Sequence, residues 1–325
     1  MVMKEKNVSI VISDWEFGAG KLGSGKGPKC IVESYQNQGL HAHMMGEIIL
    51  VSAAQIPHQQ SDSQHQPSPP GNTRANLKNG VALLKHQTAF AEKVAEQLNL
   101  HPRCLLLTAD HSNGIGGVSG LCRTVDANKV GVIWIDAHYD LHSPYTTPSG
   151  NSHGMVVNAL IDDNNAEHAE QSITPEEAQL WEAIKCIKGM GNAIPTKNLV
   201  FLGVRDFEEP EEALIAKHGI CSIQPQEIQD KGINACLDKA LAHLSHCEHL
   251  YISFDVDSMD PSISQATGTP VAGGLSLDQA KTLIHALVNN PKCRCLEITE
   301  FNPSLPQPEE MLAAVQEILG VSGLF

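Results

Sequence analysis

Seven short, almost continuously apolar runs punctuate the 325-residue chain: VSIVI (8–12), EIILV (47–51), CLLLT (104–108), VGVIWI (130–135), LVFLGV (199–204), YISF (251–254) and CLEIT (295–299). A strand with one wet face alternates apolar and polar side chains. These runs do not, so each is expected to be buried on both faces. Between them lie stretches of helical spacing, among them NGVALLKHQTAFAEKVAEQL, TPEEAQLWEAIKCI, EEPEEALIAKHG, the 229–244 stretch, LSLDQAKTLIHALVNN and PEEMLAAVQEIL. The alternation predicts an α/β fold, a mostly parallel central sheet covered by helices on both faces. No fixed-period repeat is present. The segment IPHQQSDSQHQPSPPGNTR (56–74), rich in Gln, Ser and Pro, reads as a flexible surface loop inside one domain covering 1–325.

Charge narrows the partners. With 22 basic against 37 acidic residues the formal net charge is -15, which repels nucleic acid and anionic membrane. Hydrophobic residues at 42% and charged residues at 18% exclude wholesale disorder. The N-terminal MVMKEKNVSIVISDWEF holds an apolar stretch of only about five residues, too short for a signal peptide or a membrane span. Nine cysteines, an odd number, several of them in apolar contexts such as PRCLLL and KCRCL, read as reduced core thiols of a cytoplasmic protein.

In a parallel sheet the carboxyl ends of the strands carry the functional loops. Here TADHSNGIGG follows CLLLT, DAHYDLH follows VGVIWI, DVDSMDP follows YISF and EFNPSL follows CLEIT. Four strand ends thus deliver Asp, His or Glu to one edge. The densest stretch, IDAHYDLHSPYTTPSGNSHG, puts Asp136, His138, Asp140, His142 and His153 within twenty residues (135–154). One Asp at a strand end is ordinarily a turn former or a helix cap. Capping does not require D-x-H-x-D and D-x-D on separate buried strands. Side chains two apart on a strand share a face at roughly 6.6 Å, the spacing expected of Asp136 with His138 and of Asp255 with Asp257. One ion reaches such a set poorly, whereas two ions ~3.5–4 Å apart, bridged by carboxylates, suit it. Four carboxylates (Asp136, Asp140, Asp255, Asp257) and two imidazoles (His111, His138) without thiolate favour manganese-like ions, with iron or cobalt also compatible. Without metal the carboxylates would repel and shift one another's pKa values.

ADHS, DAHYD, TTPSGNSHG, GVRD, SFDVDSMDPSISQATGTP and EFNPSL, in that order, resemble the signature of the ureohydrolases, and SGNSHG is most similar to arginases within that superfamily. The resemblance runs from the first strand to about residue 305. It implies an arginase-like fold and two manganese ions per chain. His111, Asp136, Asp140 and Asp255 would hold one ion, and Asp136, His138, Asp255 and Asp257 the other, with Asp136 and Asp255 bridging. It further implies attack of a metal-bridging hydroxide on the guanidinium of L-arginine, giving urea and L-ornithine. Glu300 matches the carboxylate that pairs with the guanidinium, and His153 the proton shuttle, an imidazole titrating in the required range. Thr147, Ser149 and Asn151 match positions holding the substrate α-carboxylate. Glu208 and Glu211 match carboxylates near the α-ammonium, with Glu208 in place of the usual Asp. The chief departure is His142, where arginases usually carry Asn; as a substrate-binding residue its imidazole would contact the α-carboxylate in place of the Asn amide. With Tyr139, it gives DAHYDLH a partial likeness to the formimino hydrolases. Another ureohydrolase, acting on a guanidino acid, agmatine or formimino-glutamate, is the neighbouring reading. A non-catalytic metal-binding protein is the distant one, and the intact His153 and Glu300 speak against it. The family likeness also implies a small-molecule guanidino substrate and a homo-oligomer, trimer or hexamer.

Other signals carry less. GAGKLGSGK (18–26) nearly spells a P-loop, but the Ser or Thr needed for magnesium is Gly27, followed by Pro28, so a glycine-rich loop entering a helix fits better. His243, His246 and His249 recur every third residue, although the last already enters the next strand. His41 and His43 read as packing or solvent residues, and Cys293 and Cys295 as core thiols without a disulfide.

Overall fold

The computed structural model describes residues 8–37, 48–53, 75–189 and 191–323. Its strands are β1 (Val8–Ser13), β2 (Ile48–Val51), β3 (Arg103–Thr108), β4 (Val130–Ile135), β5 (Leu199–Leu202), β6 (Cys221–Ile223), β7 (His249–Asp255) and β8 (Cys293–Thr299). They form one sheet in the order β2-β1-β3-β8-β7-β4-β5-β6, and each pairing is parallel. The expected mostly parallel sheet is therefore wholly parallel among the described residues.

Period-two alternation sends successive apolar side chains to opposite faces, which is why the runs are continuous. On one face Ile10, Ile12, Leu105, Leu107, Ile133, Ile135, Ile252 and Phe254 pack with residues of α1 (Gly27–Asn37), α8 (Ile233–His243), α9 (Leu277–Val288) and α10 (Pro308–Ser322). On the other, Val11, Leu106, Val132, Trp134, Phe201 and Tyr251 pack with α2 (Gly80–Leu100), α3 (Gly114–Cys122), α4 (Val156–Leu160) and α5 (Pro175–Lys185). Two further helices, α6 (Glu209–His218) and α7 (Pro225–Lys231), complete the set. Local signals fix the starts. Thr174 and Ser276 cap α5 and α9, each in a reciprocal box with Glu177 and Gln279. No helix among the described residues is long and apolar enough to cross a membrane.

Four elements depart from the expectation. Strand β2, at the sheet edge, is not buried on both faces, since Ile48 and Leu50 are exposed. The 229–244 stretch is two helices, because Gly232, at φ 80°, breaks the run between α7 and α8. Strand β6 has only three residues at the sheet edge, too short for periodicity to register. Helix α3, GIGGVSGLC, forms against its own propensity and is buried throughout. A Cβ at Gly116 would come within 2.6 Å of Gln87 Oε1, so close approach of α2 demands the small residue. The loop expected at 56–74, and His41 and His43, lie outside the described residues.

The order of strands positions the site. Strands β3, β8, β7 and β4 are neighbours at the sheet centre, and in-register pairs Leu107–Ile298, Phe254–Ile298 and Ile135–Phe254 align their carboxyl ends. The four motif-bearing loops therefore leave the same edge side by side.

Candidate metal centre

The first turn after β3 is the 3-10 turn His111–Asn113, capped by Asp110, whose side chain accepts from the Ser112 N–H. It presents His111 inward, stacked on Trp134 with ring centroids 4.0 Å apart and planes 7° apart. His111 Nδ1 faces three carboxylate oxygens: Asp136 Oδ2 at 3.0 Å, Asp140 Oδ2 at 3.1 Å and Asp255 Oδ2 at 3.1 Å. A second group adjoins it, with His138 Nδ1 at 3.3 Å from both Asp136 Oδ1 and Asp257 Oδ2. Asp136 thus turns one oxygen to each imidazole.

The ligand pairs do not run along strands, as their spacing had suggested, but occupy tight turns that begin at or just beyond the strand ends. Strand β4 ends at Ile135, and Asp136 Oδ1 accepts from the His138 N–H at 2.8 Å. Strand β7 ends at Asp255, whose Oδ1 accepts from the Asp257 N–H at 2.8 Å. Each Asp folds the chain back on itself, bringing residues two apart nearer than an extended strand allows. Asp140 and Glu300 take left-handed backbone, φ 52° and 67°, uncommon outside glycine and costing about 1–3 kcal/mol where it is strained.

Unscreened, the group is electrostatically frustrated. Burial, then the charges of Asp257 and Asp136, push the Asp255 carboxyl well up, and burial with the Asp136 charge pushes Asp140 up to about 6. Burial opposes charge on His111, yet the three surrounding carboxylates outweigh it and hold the imidazole well above its usual pKa. His111 Nδ1, Asp136 Oδ2 and Asp140 Oδ2 are buried without a partner in hydrogen-bonding geometry. One proton satisfies one such oxygen. A divalent cation satisfies all of them at once.

Behind the ligands is a shell that the motifs did not reveal. His111 Nε2 meets Ser253 Oγ at 2.7 Å, and Ser253 donates to Glu297 Oε2 at 3.0 Å. Glu297, wholly buried in β8, also accepts from Tyr251 Oη and Thr108 Oγ1, both at 2.8 Å. Asp110 is likewise buried. Its Oδ2 accepts from the Gly18 N–H at 2.7 Å, which draws the glycine-rich loop onto the site, and burial beside Glu300 raises it to about 7. In sequence these residues read as strand interior or as a cap.

A cleft of about 300 Å³ opens above the group, lined by His111, His138, Asp140, His142, Thr147, Ser149, Asn151, His153, Glu208, Glu211, Asp255 and Asp257 among others. His153 Nδ1 lies 3.4 Å from Glu300 Oε1, which also accepts from the His111 N–H at 2.8 Å. Burial disfavours charge on His153, but Glu300, and beyond it Asp140 and Asp110, outweigh burial and raise its pKa. Glu300 is buried behind the cleft wall. Two groups of polar residues complete the lining. Thr147 Oγ1 accepts from the Gly150 N–H at 3.0 Å, and Ser149 Oγ from the Asn151 N–H at 3.1 Å. Glu208 and Glu211 form a capping box at the start of α6, with His142 Nε2 at 3.0 Å from Glu208 Oε2. Of the residues singled out in the sequence as ligands or substrate contacts, all line this cleft except Asp136 and Glu300, which are buried beside its lining residues His111 and His153. The three spaced histidines do not join it: His243 ends α8, His249 opens β7 and His246 bonds Asn198 Oδ1 at 2.7 Å. All nine cysteines are free.

Comparison with known proteins gives the family. A family model described as "Arginase family" matches residues 6–320. Arginase-1 of Homo sapiens is 32% identical over 249 residues, covering 76% of this chain and 73% of that protein. Arginase of Neurospora crassa is 28% identical over 314 residues, covering 94% and 81%. The crystal structure of arginase from Bacillus subtilis subsp. subtilis str. 168 superposes with a TM-score of 0.78 at 26% identity, covering 98% of each chain.

Proposed function

The chain belongs to the arginase family, a ureohydrolase acting on the carbon–nitrogen bond of a linear amidine, and from that premise we propose that it hydrolyses the guanidinium of L-arginine to urea and L-ornithine with two manganese ions. The observation that carries the proposal is the shared Asp136. It stands 3.0 Å from His111 and 3.3 Å from His138, shared by two ligand groups that could each hold a cation. His111, Asp136, Asp140 and Asp255 would hold one ion, and Asp136, His138, Asp255 and Asp257 the other. Oxygen-rich ligation with imidazole suits manganese, and cobalt or iron fits the same donors. When bound, such a pair supplies hydroxide near neutral pH.

The chain's own groups do the rest. Glu300, a carboxylate buried just behind the cleft wall beside His153, would be the charge-assisted partner for the planar guanidinium. His153, at the cleft wall and 3.4 Å from Glu300, is placed to pass a proton to the departing alkyl nitrogen, so that an amine leaves. The hydroxyls of Thr147 and Ser149 and the amide of Asn151 line the mouth where the carboxylate end of the substrate would lie. Stripping the protein of metal, restoring manganese and assaying urea and ornithine from L-arginine tests this reading. Release of both only with metal is expected, and metal-independent release or none would end it.

A further inference from the structure

The mouth of the cleft carries two carboxylates, and the chain itself already engages both. Glu211 Oε1 accepts from the Leu141 N–H at 3.0 Å and its Oε2 from the Glu208 N–H at 3.1 Å. The Glu208 carboxylate accepts the Glu211 N–H in return. His142 Nε2 then stands 3.0 Å from Glu208 Oε2 and 3.6 Å from Glu211 Oε2. The direction of that contact follows from its partner: the Glu208 carboxylate, held ionised, can only accept, so His142 Nε2 carries a proton and points it at Glu208. Thr146 Oγ1, which accepts from the Ser143 N–H at 3.1 Å, lies 3.1 Å from His142 Nδ1 and steadies the ring from behind. A donor built into the loop fills the place between two acids where a ligand's ammonium would dock.

Another part of the lining is different. Thr147 Oγ1 accepts from the Gly150 N–H at 3.0 Å and from the Ser149 N–H at 3.3 Å, which leaves its own proton to donate. Asn151 Oδ1 accepts from Lys78 Nζ at 2.9 Å, which leaves the amide N–H groups as donors backed by a lysine charge. Such a wall suits a carboxylate. We infer that this cleft selects its substrate by the guanidinium and the carboxylate and is indifferent to an α-ammonium, so that ω-guanidino carboxylic acids are turned over as readily as arginine. The inference rests on the proposed guanidinium hydrolysis and sets its substrate class. In each case water adds its oxygen to the guanidinium carbon, the bond to the alkyl nitrogen breaks, and that nitrogen takes the proton. The products are urea and an ω-amino acid.

The test uses the manganese-loaded enzyme with L-arginine, 5-guanidinopentanoate (arginine without its α-ammonium) and agmatine (arginine without its carboxylate). A site that hydrogen-bonds a substrate N–H rejects the analogue lacking it by orders of magnitude. Here kcat/KM for the first two should agree within about threefold, and agmatine should fall at least about 100-fold lower. His142→Asn empties the place between the acids and should raise the arginine to 5-guanidinopentanoate ratio at least about tenfold. Glu208→Gln should leave that ratio within about threefold of wild type. Calorimetric Kd values for L-ornithine and 5-aminopentanoate give the same comparison without turnover, and should agree within about threefold. A wild-type preference for arginine or ornithine above about tenfold, agmatine turned over as fast as arginine, or a ratio unmoved by His142→Asn would each overturn the inference. If none of the three compounds releases urea while the two amino acids still bind equally, the hydrolase reading falls and the recognition stands.

Discussion

The His111 imidazole and the Ser253 hydroxyl meet at 2.7 Å, on the side of the ring turned away from the carboxylates. Because Ser253 sends its own proton to Glu297, its oxygen accepts the His111 Nε2–H. That commits Nδ1 to the three carboxylates, the orientation a metal ligand requires. Removal of the hydroxyl should free the ring to change tautomer and to swing. Ser253→Ala is expected to weaken manganese affinity by about 10–100-fold while the fully loaded protein keeps its metal count. A metal titration followed by calorimetry reads both quantities, and an unchanged affinity would show that the hydroxyl does not orient the ligand.

Asp136 faces both imidazoles with separate oxygens. Asp136→Ala should therefore release at least one equivalent of metal and lower kcat by about 10³-fold or more, and Asp255→Ala, the second bridge by family resemblance, should do the same. Two full equivalents retained in either variant would contradict bridging.

His153 stands outside both buried ligand groups and pairs with Glu300 instead. A proton carrier of this kind contributes about 10²–10⁴-fold. His153→Ala should lose about that much kcat with its metal content intact. A matching loss of metal would make His153 a ligand instead.

The D-x-H-x-D and D-x-D pairs were legible because each follows a run of apolar residues. A buried strand that ends in several carboxylates needs a positive charge to offset them, and a metal ion supplies it. Their geometry was not legible. Sequence spacing implied strand-borne pairs, whereas Asp136 and Asp255 each accept the N–H two residues on and close a turn. Helix α3 was hidden by its glycines, since propensity opposes what packing against α2 requires. Glu297 and Ser253 read as ordinary strand interior, because nothing local tells a buried carboxylate that three hydroxyls will converge on it. His142 was readable as a departure, yet its contact with Glu208 joins residues 66 apart in the chain and needed the fold.

Acid should unfold this protein partly through His86. The ring is fully buried, stacked on Trp15, and its Nε2 donates to Ser13 Oγ at 2.7 Å while Ser13 donates to Asn113 beside the metal-site turn. Burial lowers its pKa from 6.5 to about 4. Between those values the unfolded chain takes up a proton that the folded one refuses. Stability is therefore fully present above about pH 6.5 and is lost as pH falls toward 4, by up to about 3 kcal/mol. Urea denaturation of wild type and His86→Gln at pH 7 and pH 4.5 measures the difference. The wild type should lose more stability on acidification than the variant, and equal losses would show that His86 is not the titrating group.

The central claim is that two cations act together in this cleft on a guanidinium. Titrating metal-free protein with manganese while recording urea release from L-arginine tests it most directly. The account predicts no urea before metal is added and a rise that levels off at two equivalents per chain. A plateau at one equivalent, or urea released in the presence of chelator, would contradict it.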